Sequence, residues 1–479
     1  MLKIFWFRKD LRIEDNAGLG FFMDNISDDD EILFLYIKND NTFEYFGEKR
    51  ICFLYQALES LKKDLIDKSY SLRIVKGNSP DVFKKLLKQA GKVHIYANEQ
   101  PEPYSVKRDN KVIKLVEKDG GEFTLCTDIT IFPLGEILKD DGKPYVVYTP
   151  FMKSFYSKLN KNDFDKHEVN FKNAKEYKLR SFIELDPSKE IKKLDRSDFF
   201  DGKRKEGLKQ LKKFWDDKLE NYKSQRDYPA VYGTSRLSPH FHFGTVGIRE
   251  AFRTGYNRIN KLKSEKDKKE AQTWINELIW REFYYNITFH FPVVIKRSFN
   301  KQYDNIKWNK SKKDFDAWCE GKTGYPIVDA GMRQLVSEGW MHNRLRMIVS
   351  MFLTKDLLID WRKGEKFFAE HLVDLDFSSN NGGWQWSAST GVDAAPYFRI
   401  FNPILQSKKF DPKGEYIKKY VPELKGIPGK HIHAPWELSE EEQKKYNITI
   451  GKDYPSPIVN HSEAREMAIK EFKTASKKN

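Results

Sequence analysis

Between Val373 and Thr390 the sequence VDLDFSSNNGGWQWSAST sets two carboxylates two residues apart (Asp374, Asp376), two adjacent amides (Asn380, Asn381), a glycine pair and two tryptophans (Trp384, Trp386) in one short stretch. It is too polar for a core helix and too aromatic for a plain loop, and its mixture of donors, acceptors and indole faces suits a planar, polar ligand. Three other groupings carry comparable chemistry. In YKSQRDYPAVYGTSRLS, Gly233 precedes Thr234, Ser235 and Ser238, and backbone N–H groups beside hydroxyls can hold a pyrophosphate; Ser238-Pro239 also reads as an ordinary helix cap followed by a first-turn proline. In WINELIWREF, Glu277 and Arg281 lie four apart with Trp280 three beyond Glu277, so the three share a helix face; an ion pair beside a core tryptophan accounts for the same spacing. In GWMHNRLRMIVSM, the amide of Asn343, the cations Arg344 and Arg346 and the thioether of Met347 fall within about one helical turn, where arginines suit phosphates or a pairing with Asp374 and Asp376. Indoles are readily oxidised, so Trp384, Trp361 and Trp308 in contact would relay an electron between the surface and a buried acceptor. Core packing is the plainer account of a scattered set.

Two kinds of element must position these groups. Residues 3–128 alternate apolar runs (KIFWF, EILFLYI, LRIVKG, KVHIYANE, GEFTLCTD) with amphipathic stretches such as SPDVFKKLLKQA, the order of βαβ units. A Rossmann-like, doubly wound parallel sheet is therefore expected over 1–131, with Ser79 capping the helix that Pro80 opens. No G-x-G-x-x-G follows the first strand, which disfavours the usual dinucleotide mode. That strand runs instead into Arg8-Lys9-Asp10-Leu11-Arg12, either a surface ion-pair set or a ligand site at the strand ends. Residues 132–201 lose periodicity and read as a long, partly loose connection over the surface. From 202 to 475 apolar residues recur at three- and four-residue spacing, so a larger, all-helical domain is expected there.

The length of 479 residues exceeds the ~250–300 at which single cores stop growing, which agrees with two domains. Net charge +15 and a pI near 9.2 favour a polyanion such as nucleic acid, and 14% aromatic residues exceed what a core needs. Cys52, Cys126 and Cys319 are widely spaced, form no metal-like cluster and read as thiols in a reducing compartment. With no signal-peptide pattern and no long apolar segment, a soluble cytoplasmic protein that stays off membranes is expected.

Eight motifs in order, WFRKDLRIEDNAGL, TSRLSPHFHFG, ELIWREFY, GYPIVDAGMRQL, GWMHNRLRM, FLTKDLLIDWRKGE, NNGGWQWSAST and DAAPYFRIFNP, resemble the photolyase and cryptochrome family, in the pattern of its class I cyclobutane pyrimidine dimer photolyases. The resemblance implies an α/β antenna domain and a helical domain that holds FAD and splits pyrimidine dimers in UV-damaged DNA, as a monomer, by electron transfer from photoexcited reduced FAD. It implies that Tyr222, Thr234, Ser235, Leu237, Ser238 and Arg281 hold the pyrophosphate and ribityl part, that Trp274 lies near the adenine, and that Asp374, Leu375 and Asp376 bind the flavin ring. Asn380 would face N5, and Arg346 would pair with Asp374. Trp280 and Trp386 would wall a flipped lesion, Glu277 would hydrogen-bond its bases, and Asn343 and Met347 would line the same pocket. Arg226 and Arg344 would grip phosphates, with Gln406 near the DNA. Trp384, Trp361 and Trp308 would re-reduce the flavin.

The antenna motifs depart from the family. Folate-binding relatives carry Asn-Glu where this chain has Tyr104 and Ser105, whereas Arg50 and its surroundings resemble deazaflavin-binding relatives. His242 stands where those relatives can place a lysine. The runner-up function is a cryptochrome-type blue-light photoreceptor, which usually brings an extension beyond the point where this chain stops. Repair of (6-4) photoproducts would want histidines where Asn343 and Met347 stand.

Overall fold

The computed structural model describes residues 1–39, 46–194 and 199–477. They form two compact units, Met1–Glu220 with Ser235–Pro292 and Asn221–Thr234 with Val293–Asn479.

The first unit is built on the apolar runs identified above, β1 (Leu2–Phe7), β2 (Glu31–Lys38), β3 (Leu72–Lys76), β4 (Val93–Asn98) and β5 (Glu122–Cys126), all parallel in the order β3-β2-β1-β4-β5. Ile4 sits opposite Leu33 on one side and Ile95 on the other. Strands apolar on both faces need cover on both, and the crossover helices α1 (Ala17–Asp24), α2 (Glu48–Ile66), α3 (Ser79–Ala90) and α4 (Pro103–Lys118) supply it. In α3 the buried side includes Val82, Phe83, Leu86 and Leu87, the expected three- and four-residue spacing. This is the doubly wound α/β domain.

The loop leaving β1 is not a surface ion-pair set. Arg8, Asp10, Arg12, Asp15 and Asn16 are buried. Arg12 Nη2 reaches both Asp128 oxygens at 2.7 and 2.9 Å, and Asn98 Nδ2 donates to Asp10 at 2.6 Å and to Asn16 at 2.9 Å. Buried charges persist where they are paired and hydrogen-bonded.

Residues 132–201 are packed where they are described, rather than loose. Helix α5 (Tyr148–Lys158) buries Tyr148, Phe151 and Phe155, and Lys175–Glu176 adds a short strand, β6, to β2. Phe151 and Phe155 lie one turn apart, a face diluted in the sequence by the lysines and the proline around it.

Helices α6 (Arg204–Asp217), α7 (Ser238–Phe243), α8 (Ile248–Ile259) and α9 (Glu265–His290) also belong to the first unit. The change in periodicity at 202 therefore does not coincide with the boundary in contacts, for a polar reason. Arg249 donates to the carbonyls of Thr130 (3.2 Å) and Ile131 (2.9 Å), and buried Glu282 accepts from the N–H groups of Ile131 (2.8 Å) and Phe132 (3.0 Å). Ser79 and Ser238 are the first residues of α3 and α7, and Asn78 and Leu237 hold the cap positions. Both expected caps shift by one residue because proline fits anywhere in the first turn, where its missing N–H costs nothing.

The second unit is helical. Among its elements are α10 (Pro326–Glu338), α11 (Asn343–Met351), α12 (Trp361–His371), α13 (Phe377–Ser387), α14 (Pro403–Phe410) and α15 (His461–Ser476). Its core gathers Trp318, Leu345, Ile348, Phe352, Trp361, Phe368 and Trp384. Among the described residues no helix is long and apolar enough to cross a membrane, and no group of His, Cys, Asp and Glu is arranged to hold a metal ion.

Burial pushes the Glu282 carboxyl up from its ordinary 4.5 to about 7, against the two backbone N–H bonds that favour the charged form. An acid whose pKa rises on folding binds more protons folded than unfolded between those values, so its contribution to stability falls as pH rises from 4.5 through about 7. Glu282→Gln removes the titration and is expected to flatten that fall. Glu282→Ala leaves two buried N–H groups unbonded at ~1–3 kcal/mol each, and is expected to cost roughly 2–6 kcal/mol. Denaturant unfolding across pH measures both.

Candidate active site

In the second unit Asp376 begins the critical helix. Its side chain accepts from Ser379 N at 2.8 Å as the N-cap of α13, so one of the two expected flavin-binding carboxylates also fixes where the helix starts. Asn381 Nδ2 then donates to Glu365 Oε1 at 2.8 Å and to the Val294 carbonyl at 3.2 Å. Burial pushes the Glu365 carboxyl up to about 7, against the Asn381 hydrogen bond. Asn380 is half-buried, and its Nδ2 lies 3.3 Å from the Glu365 carbonyl; its amide oxygen accepts no bond among the described residues. Asp374 is buried and receives Arg346 Nη2 at 3.0 and 2.8 Å, the expected pairing, while Arg346 Nε donates to the Met341 carbonyl at 2.8 Å. Leu375 packs against the core from a half-buried position.

Helical geometry sends Trp384 and Trp386 in different directions. Trp384 is 2% exposed and meets Phe368 at 4.9 Å and Trp318 at 6.1 Å, both edge-on, whereas Trp386 is half-buried. A Cβ on Gly364 would run into the Trp384 ring, so α12 can approach only because that residue is glycine. Trp361 is fully buried at the start of α12, and half-buried Trp308 packs against the same core and, edge-on, against Phe472 at 6.2 Å. Ring contacts join Trp384 to Trp318 and Phe368, and one continuous apolar core holds Trp384 and Trp361 and borders Trp308. The Nε1 atoms of Trp384 and Trp361 are buried without an acceptor among the described residues.

The two arginines expected to grip phosphates already have partners within this unit. Arg344 pairs with Asp227 at 2.8 Å and lies over the Phe410 ring at 4.2 Å, and Arg226, 5.7 Å over the ring of buried Tyr222, has its Nε 3.8 Å from the same carboxylate. Asn343 is exposed as the first residue of α11, Met347 is half-buried, and Gln406 on α14 has a buried Oε1 without a donor among the described residues.

In the first unit α9 carries Trp274, Glu277, Trp280 and Arg281. Trp274 is 2% exposed among Trp215 (4.7 Å) and Phe214 (5.4 Å). Glu277 and Trp280 are half-buried, and Tyr148 stacks on one face of Trp280 at 3.5 Å and 7°. Arg281 donates to the Ile129 carbonyl at 2.6 Å and to the Tyr285 hydroxyl at 2.7 Å. Leu237 is fully buried, and the Ser235 carbonyl accepts from Gln210 at 2.6 Å. The hydroxyls of Ser235 and Ser238, and of Thr234 in the second unit, are half-buried and make no hydrogen bond among the described residues. Sequence reasoning missed Tyr148, Asp227 and Glu365. Only Asp227 carried a signal, as the acidic neighbour of Arg226.

A family model described as the FAD binding domain of DNA photolyase matches residues 274–474, and one described as DNA photolyase matches residues 3–169. A deoxyribodipyrimidine photo-lyase from Alkalihalophilus pseudofirmus is 38% identical, over 98% of this chain and 98% of its own. The chain belongs to the DNA photolyase family. Among solved structures, a class III photolyase from Agrobacterium tumefaciens superposes with a TM-score of 0.89 at 34% identity, covering 99% of this chain and 98% of the other. A photolyase from Sulfolobus tokodaii, solved with two FAD molecules, superposes with a TM-score of 0.83 at 35% identity, covering 99% and 100%.

The residues present fit the cofactor of the family's FAD-binding domain. In the second unit the half-buried Thr234 hydroxyl, which makes no hydrogen bond among the described residues, suits a pyrophosphate oxygen. The Arg346–Asp374 pair, the spare amide oxygen of Asn380 and the buried, unbonded Ser378 hydroxyl offer donors and acceptors to the polar edge of an isoalloxazine.

The Tyr148–Trp280 stack, worth ~0.5–1.5 kcal/mol beyond burial, fixes the plane of the indole. Tyr148→Ala is expected to lower the melting temperature and weaken the near-UV circular dichroism of the coupled rings, while Tyr148→Phe keeps the ring coupling and loses only the hydroxyl's bond to the Asn276 carbonyl, at about 0.5–1.5 kcal/mol.

Proposed function

We propose that this chain is a light-dependent DNA repair enzyme, a deoxyribodipyrimidine photo-lyase that splits cyclobutane pyrimidine dimers in UV-damaged DNA. The observation that carries the reading is the division of α13 by burial: Trp384 is sealed in the core, Trp386 reaches the surface two residues later, and Asn380 stands one turn before them. When bound in reduced form and excited by blue light, FAD supplies the electron that opens the cyclobutane ring and takes it back afterwards, with no net redox change.

The chain's own residues do the rest. Arg346, bonded to both oxygens of Asp374, orients that carboxylate towards the flavin ring, beside Leu375, Asp376 and Asn380. Tyr222, Thr234, Ser235, Leu237, Ser238 and Arg281 serve the pyrophosphate and ribityl part, and Trp274 backs the adenine from within its aromatic cluster. A dimer stacks and pairs poorly, so extruding it from the duplex costs less than extruding intact bases. Trp280 and Trp386 each offer it an indole face, Glu277 hydrogen-bonds its bases, and Asn343 and Met347 complete the apolar and amide contacts. Arg226, Arg344 and Gln406 meet the flanking DNA, in keeping with the net charge of +15. Trp384, Trp361 and Trp308 re-reduce the cofactor.

A second, light-collecting chromophore of flavin or deazaflavin type fits better than folate. Ser105 spends its hydroxyl on Gln100 at 3.1 Å, and the Tyr104 hydroxyl accepts from Asn39 at 2.9 Å. His242 is buried with Nδ1 unbonded, and burial, with Lys9, Arg50 and Arg281 nearby, holds its pKa well below the usual imidazole range. A neutral, buried imidazole among three cations suits a planar anion. The wide spacing of the three cysteines accords with a reducing, cytoplasmic setting.

Purified holoprotein with fully reduced flavin is expected to restore dimer-containing DNA under blue light and not in darkness, and its absorption spectrum to show whether a second chromophore is bound. Absence of light-dependent repair would favour the cryptochrome-type photoreceptor.

A further inference from the structure

Asp227 has no place in the roles above, yet it touches both arginines read as phosphate contacts. Its Oδ2 lies 2.8 Å from Arg344 Nη2 and its Oδ1 3.8 Å from Arg226 Nε. The contact is more built than an incidental surface pair. The guanidinium of Arg344 lies 4.2 Å over the Phe410 ring, and Tyr228, the next residue after Asp227, packs edge-on against that same ring at 6.3 Å. Phe410 thus fixes the arginine and the chain that presents the carboxylate together. The side chain of Asp227 is 36% exposed, against 15% for Arg344 and 26% for Arg226, so the carboxylate is the member of the trio most open to solvent. It takes one edge of a guanidinium that has five donors, and Arg344 Nε is buried without a partner among the described residues. The arginine is held but not saturated.

We propose that Asp227 is a brake on the phosphate grip, a resident anion that competes with DNA phosphates for Arg344 and Arg226 and speeds release of repaired DNA. The inference rests on reading those two arginines as phosphate contacts. A phosphate reaching the fork meets a carboxylate within a few ångströms, and like charges at that range oppose each other. Substrate and product carry the same phosphates, so the brake weakens both alike. What holds the substrate in addition is the lesion, and once the lesion is gone the weakened grip lets go. A scaffold role, in which Asp227 presents Arg344 to the phosphate, has the opposite sign: removing the carboxylate would then weaken binding.

The test uses the FAD-loaded full chain, short duplexes with and without one cyclobutane dimer, and equilibrium binding over a salt series in the dark. Asp227→Asn keeps the shape and removes the charge. It is expected to raise affinity for both duplexes by about 2- to 5-fold, the range a partly exposed ion pair commands. It should also steepen the dependence of log affinity on log salt by up to ~0.9, the increment for one further neutralised phosphate, and to slow dissociation of undamaged duplex by a similar factor. Asp227→Ser is the second variant in case the first fails to fold. The gain should shrink in Arg344→Gln/Asp227→Asn, since the brake acts through that arginine. Unchanged or weaker binding by Asp227→Asn, with Arg344→Gln itself weakening binding, overturns the brake and leaves the phosphate reading standing. Arg344→Gln and Arg226→Gln both without effect overturn the phosphate reading and the brake with it.

Discussion

From inside the first unit, Glu282 accepts the N–H groups of Ile131 and Phe132, and through those two bonds the helix Glu265–His290 is fixed against the end of the α/β segment. A helix is stiff, so pinning one residue sets the direction of every side chain on it. Trp274 is thereby turned into the aromatic core, Trp280 onto Tyr148, and Arg281 towards the Ile129 carbonyl. The carboxylate bears the expense of burial because the alternative is two buried amides without acceptors. Arg249 repeats the device one helix earlier at Thr130 and Ile131. These contacts explain why helices whose sequence periodicity belongs with the helical half fold with the sheet.

The second unit solves the same problem with a cap and a glycine. Asp376 sets the first residue of Phe377–Ser387, Asn381 ties that helix to Glu365, and Gly364 lets the neighbouring helix close on Trp384. Within eleven residues the chain passes from a cap, through two amides, to one buried and one half-buried tryptophan. This density of roles makes the stretch legible. Few core helices combine adjacent asparagines, paired glycines and two indoles.

Legibility elsewhere followed physical contrast. The parallel strands were readable because continuous apolar runs such as EILFLYI have no surface alternative, and Glu265–His290 because its apolar stripe is long. The buried side of Tyr148–Lys158 is hard to read because Phe151 and Phe155 are only one turn of apolar signal among lysines and breakers. Arg346 could be paired with Asp374 through the family resemblance. The partner of Arg344 is Asp227, a carboxylate in another motif, and no periodicity links the two. Likewise the tryptophans could be named from their motifs, but that Trp384 meets Trp318 and Phe368 edge-on is decided by packing alone.

The central claim is that the helix Phe377–Ser387 divides its tryptophans, Trp384 supplying electrons and Trp386 serving the lesion. The most direct measurement compares flavin photoreduction and blue-light repair by chemically pre-reduced enzyme in Trp384→Phe and Trp386→Ala. The account requires photoreduction to slow in the first with repair retained, and repair to fall in the second with photoreduction retained. Parallel loss of both activities in either variant would contradict it.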